Sequence, residues 1–213
     1  MVRISEYNDW VIFCILASVF LFIFMLAAFH RSANIKDFLT ENAEDVKNIL
    51  SSWILVSAVD NILLSVLLSQ FIPIVPKFIS DIQIYDYQLN KFGFTFVSVT
   101  VFHLLKNAFT FLFYSSVGNR EHLEMLALIA TRFYFIESLI LIVLNFSLYF
   151  YPVDLIVFFR ITVIFLAGFF ILKNLIYFFH NQPILPEKWY YKFLYICTLQ
   201  IVPIFVLWKF LFY

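Results

Sequence analysis

The residues able to do chemistry in this chain are polar and ionisable groups set in apolar sequence: Asp60, His103, Lys106, Asn107, Arg132 and Glu137. Charges inside apolar spans are costly, and as a rule they face a bundle interior, pair with one another, or line a path for protons or ions. With a helical rise of about 1.5 Å per residue, Asp60 and Lys106 lie about 15 Å into their spans, Arg132 about 10 Å and Glu137 about 18 Å. One layer therefore holds charges of both signs, and the expected pairs are Lys106 with Asp60 and Arg132 with Glu137 or Asp60. His103 and Asn107, four residues apart, share a helix face with Lys106 beside them.

Two chemistries fit such a layer. One is a proton or ion path through Asp60, His103 and Glu137. The other is an internal salt-bridge and hydrogen-bond cluster that fixes helix packing. Transport sites typically carry irregular backbone near the membrane midplane, marked by Gly or Pro. Here Gly93 and Gly118 fall at span ends, Gly168 stands alone, and only Pro203 breaks a span. The balance favours packing.

Signatures of enzymes are missing. There is no HExxH, no GxSxG, no P-loop and no GxGxxG, and His30, His103, His122 and His180 are scattered at no ligand spacing. No catalytic residue, cofactor or metal site is expected. Glu121, His122 and Glu124 form a dense polar cluster that reads as a solvated loop. Cys14 and Cys197 sit in apolar runs with no CxxC neighbour and read as buried small apolar residues.

The elements that must position these groups follow from composition. The 213 residues are 63% hydrophobic and 22% aromatic, with only 13% charged and a formal net charge of zero. A soluble fold of this size buries only roughly 70% of its chain's surface and could not hide so much apolar area. Nucleic-acid binding, disorder and disulfide scaffolds drop out on the same numbers. The expected class is all-α, a polytopic transmembrane bundle of about six spans forming one domain over residues 1–213, with the lipid bilayer as its solvent. A span takes about 20 apolar residues, and six stretches qualify: 10–29, 50–72, 92–117, 125–150, 152–179 and 189–212. A barrel would need short alternating segments, which are absent. The acidic flank of the first span, Glu6 and Asp9, argues for an anchor rather than a signal peptide.

Arg31, Lys36, Lys47, Arg120, Lys188 and Lys192 fall on one side, against Arg3, Lys77, Lys91 and Lys209 on the other. This leans toward both termini outside the cytoplasm. Arg160 and Lys173, nearer the ends of the fifth span, are expected to snorkel. Asp154 suits that helix's first turn. Trp10, Trp53, Trp189, Tyr190 and Tyr191 lie at span ends, as an interfacial belt requires.

Two connections are long. The first places Ile35, Leu39, Val46 and Ile49 near one helical stripe, with Asn42 a possible cap. It is either a surface or partner-binding helix or an extension of the second span into water. The second, 73–91, opens with Pro73 and Pro76 and carries many aromatic residues for packing on the outer mouth or on a partner.

The last forty residues are the most distinctive. Pro183-Ile-Leu-Pro186 precedes Leu194, Tyr195, Cys197, Leu199, Ile201 and Pro203 in a Leu-Tyr-x-Cys-x-Leu-x-Ile-x-Pro arrangement. This resembles the uncharacterised family of Bacteroidota membrane proteins catalogued as domain of unknown function 4271, with Gln200 in place of the family's usual acidic residue. The resemblance implies a multi-pass protein of the bacterial inner membrane serving the envelope or secretion apparatus, and supplies no activity. Pro203 removes a backbone donor and frees the Leu199 carbonyl, so a kink is expected there, with Gln200 one turn earlier free to bond a neighbour. The expected function is a non-catalytic subunit or scaffold of an envelope complex, with other membrane or envelope proteins as partners and no nucleic acid. The alternative is a small ion- or proton-coupled transporter using the charged layer. An intramembrane enzyme ranks third.

Overall fold

The computed structural model describes residues 9–29, 35–40, 49–72, 90–117, 120–179, 185–186 and 188–212. Among them the regular structure is entirely helical: α1 (Asp9–Phe29), α2 (Ile35–Thr40), α3 (Ile49–Ser69), α4 (Lys91–Val117), α5 (Arg120–Phe150), α6 (Leu155–Phe179), α7 (Trp189–Leu194), a π-helical segment (Tyr195–Ile201) and α8 (Val202–Phe212). Six helices, the last formed by α7, the π segment and α8 together, are long and apolar enough to cross a membrane. They fall on the six expected stretches. The boundaries differ only at the ends: α5 starts at Arg120, and α3 closes in a turn at Gln70 and Phe71.

Lipid offers no partner for backbone N–H and C=O, so helices satisfy them internally. Polar side chains then turn back on their own helices. Ser18, Ser65, Ser98 and Thr131 each donate a hydroxyl to the carbonyl four residues earlier. Two helix starts are capped by side chains. Asn90 accepts the Gly93 N–H through Oδ1 at 2.7 Å and opens α4. Asp154 accepts the N–H groups of Ile156 and Val157, so it is the cap of α6 and lies one residue before its first turn.

The centre of the bundle is the seam between α3 and α5, with α1 laid against it. Phe135 of α5, 1% exposed, meets the ring of Phe22 (α1) at 4.9 Å and that of Phe38 (α2) at 5.2 Å. Phe38 thereby fastens α2 to the core, with Leu39 of the expected stripe partly buried beside it and Ile35 exposed. Val46 and the Asn42 cap lie outside the described residues, as does 73–89.

Asn145 ties the seam together. Fully buried, it donates Nδ2 to the carbonyls of Leu63 on α3 (3.0 Å) and Leu141 on its own helix (2.9 Å). Polar side chains bridging membrane helices contribute about 0.6 kcal/mol on average and up to about 1.7. Asn145→Ala is expected to lower unfolding free energy by that range, read by denaturant titration in mixed micelles. Gly168 lies on the exposed side of α6, where an added Cβ meets nothing within 4 Å. Gly in a helix interior costs roughly 0.5–1 kcal/mol relative to Ala. Gly168→Ala is therefore expected to stabilise the bundle by that amount, seen as a rise in melting temperature of about 1–4 °C.

Candidate functional site, a buried charge cluster

Four helices each bring a stripe to one layer. On α3, Asp60 shares a face with Val56, Leu63 and Leu67 and is 2% exposed. On α4, His103 and Lys106 are one turn apart and both buried. On α5, Tyr134, Glu137 and Ser138 fall at spacings of three and four residues, so Ser138 and Glu137 lie one turn beyond the Tyr134 ring. On α6 the buried residues Thr162, Lys173 and Tyr177 are spaced eleven and four apart, one straight stripe along the helix.

The fold gathers Asp60, His103, Lys106 and Glu137 within electrostatic reach of one another or of the same lysines. Asp60 is within electrostatic reach of Glu137, Lys106 and Lys173. Glu137 feels the same two lysines. Ser138 donates its hydroxyl to Asp60 Oδ1 at 3.2 Å. His103 is fixed by Nδ1 against the Val99 carbonyl at 3.2 Å, with its ring edge-on to Tyr134 at 5.9 Å.

Lys173 corrects the sequence reading. It does not snorkel: it is 5% exposed, and its ammonium sits over the Tyr134 ring, 4.1 Å from the centroid. A desolvated cation over an aromatic face gains roughly 2 kcal/mol. The Lys173 and Lys106 head groups approach each other, and the Tyr177 hydroxyl approaches Lys173. The cations facing Asp60 and Glu137 are therefore Lys106 and Lys173. Of the expected pairs, Lys106 lies within reach of Asp60; Arg132 lies five residues before Glu137, about 140° round the helix. Asn107 is half-buried, and among the described residues no hydrogen bond ties it to the layer. Arg160 is exposed, as expected.

The cluster continues toward the last span. Tyr195, 1% exposed, packs edge-on to Tyr114 at 5.8 Å, and Gln200 donates Nε2 to the Tyr195 hydroxyl at 2.8 Å. In an α-helix residues five apart point about 140° away from each other. The wider π turn brings them onto one side, and π segments recur at functional positions in helices. The irregularity expected as a kink at Pro203 is thus a π segment ending just before it: the Val202 N–H bonds the Cys197 carbonyl, five residues back. Pro203 has no N–H with which to resume the α ladder. Gln200 bonds Tyr195 of its own span, while its Oε1 is buried without a partner.

What this arrangement offers chemically is two carboxyl groups, two amines, an imidazole and several phenol hydroxyls, held close in a low-dielectric interior. With the acids and lysines equal in number, proton transfer between carboxyl and amine leaves the total charge unchanged. A family model described as Domain of unknown function (DUF4271) matches residues 10–211, nearly the whole chain. The chain belongs to that family. No curated protein and no solved structure matches it. In this DUF4271 member, Cys197, Gln200 and Pro203 of the closing pattern all lie in or beside the π segment.

Proposed function

We propose that the chain is a proton-coupled protein of the bacterial inner membrane, whose working element is the layer formed by Asp60, Glu137, Lys106 and Lys173. The observation that carries this reading is that four separate helices each contribute one of these charges to one interior layer. A purely structural pair needs two residues. Assembling two acids and two bases from four helices is costly, since each desolvated ion carries a penalty of several kcal/mol. The π segment next to the layer supplies the irregular backbone that transport sites use, which the scarcity of Gly and Pro had argued against.

Protons are the cargo that this chemistry fits: every group in the layer can bind or release one. The test is proton flux into liposomes carrying the purified protein and a trapped pH-sensitive dye, under an imposed potential. The expected result is dissipation by the parent chain and at least a tenfold lower rate for Asp60→Asn and Glu137→Gln, each compared at equal amounts of folded protein. A parent no leakier than empty liposomes, or variants with undiminished flux, would overturn it.

The scaffold reading keeps one observation in its favour. α6 turns a single stripe inward and leaves Ile156, Ile164, Ile171 and Phe179 exposed, a face open to another membrane protein as well as to lipid. Affinity capture from native membranes decides it: recovery of stable partners in fixed ratio supports a subunit role, and recovery of this chain alone opposes it.

A further inference from the structure

A groove of about 650 Å³ runs between α4 and α8, walled by Phe94, Val101 and Leu105 on one side and Val206 and Phe210 on the other, with Lys106 at its inner end. Its wall on α4, from Phe94 to Phe109, spans about 22 Å at the helical rise. A single extended hydrocarbon chain fits a slot of that length, and one leaflet provides tails of about 15 Å depth. The wall's hydroxyls offer such a chain no competing polar contact: Ser98 and Thr198 donate their protons to the carbonyls of Phe94 and Leu194 on their own helices.

The outer end of the groove is where Phe94 meets Phe210, ring centroids 5.6 Å apart. Two exposed lysines flank it. Lys91 is three residues before Phe94 on the same stripe of α4 as Ser98 and Phe102, and Lys209 is the neighbour of Phe210. Apolar slot and cationic mouth together match one kind of molecule. We propose that the α4–α8 groove is a binding site for an anionic glycerophospholipid, with one acyl chain lying in the groove and its phosphate between Lys91 and Lys209. The tail covers the flank of Lys106 and closes the charged layer against the bilayer. This is independent of proton transfer, because its readout is bound mass and not flux.

The experiment is native mass spectrometry of the chain purified in mild detergent and offered phosphatidylglycerol and phosphatidylcholine in equal amounts. One phospholipid per chain is expected, with phosphatidylglycerol favoured about tenfold or more, since each lysine near an anionic headgroup contributes roughly fivefold. In Lys91→Gln with Lys209→Gln, both at the surface, the preference falls toward unity while a lipid is retained. Val101→Trp with Val206→Trp, checked for helical content, fills the slot and removes the lipid. Absence of lipid on the parent chain overturns the proposal. So does a preference indifferent to the two lysines, or a second copy or another protein seated there instead.

Discussion

Lys173→Met is expected to lower the stability of the folded bundle by about 3–5 kcal/mol, the usual cost of removing one partner from a buried ionic group. Asp60 and Glu137 then face Lys106 alone, and one negative charge is left in the interior without a cation. The Tyr134 ring loses its cation at the same time. The substitution is close in volume and apolar, so packing is little changed. A second substitution gives the diagnostic. Asp60→Asn in the Lys173→Met background restores equal numbers of acids and bases, and a recovery of about 0.5–3 kcal/mol is the coupling expected between groups in one network. Equilibrium unfolding in mixed micelles, run as a full double-mutant cycle, reads both values. A Lys173 extended toward the membrane surface would give a loss within about 0.5 kcal/mol, as for surface substitutions generally.

The second large effect is expected at the other end of the core. Phe135→Ala removes the ring on which Phe22 and Phe38 close, at a position 1% exposed. In membranes the drive for helix association is close packing rather than exclusion of water. The cost is therefore mostly the cavity, at about 24 cal/mol per Å³ left unfilled, and the expected total is about 3 kcal/mol. Because Phe38 also loses its contact with the Phe135 ring, α2 is expected to be held less tightly to the bundle. Limited proteolysis should then cut near residues 35–40 several-fold faster than in the parent, before the spans unfold. Phe135→Leu, which refills most of the space, should recover more than half of both effects.

How far the sequence alone leads depends on which force sets each feature. Spans follow from length and apolarity, which one window reads directly, and the six helices fall where those criteria place them. Asp60, His103, Lys106 and Glu137 stand out because charge in a span is costly wherever it lies, and equal depth along neighbouring spans suffices to group them. Lys173 was misread because depth near a span end is ambiguous between snorkelling and burial. The signal that resolves it is lateral: Thr162, Lys173 and Tyr177 fall on one stripe, which marks the inward face of an otherwise uniformly apolar helix. Depth alone grouped Arg132 with Glu137; its angle on α5, about 140° away, is a second coordinate that depth does not supply.

The π segment lay beyond any proline count. Pro203 marks where the helix cannot continue normally, but not that the backbone widens over the seven residues before it. The spacing of five between Tyr195 and Gln200, two polar side chains in a greasy span, is the one sequence trace of that widening. Phe38 was missed for a plainer reason: with so many apolar residues in the chain, several stripes through 35–49 are equally greasy, and tertiary contact with Phe135 chooses among them.

The central claim is that the buried acids exchange protons with the medium rather than merely hold helices together. Infrared difference spectroscopy of the membrane-embedded protein, stepped between acidic and alkaline buffer in H₂O and D₂O, addresses it most directly. The account expects a protonated-carboxyl band that rises and falls with the step, shifts on deuteration, and vanishes in the folded Asp60→Asn, Glu137→Gln double variant. A parent spectrum with no pH-dependent carboxyl band, or a band that survives both substitutions, would contradict it.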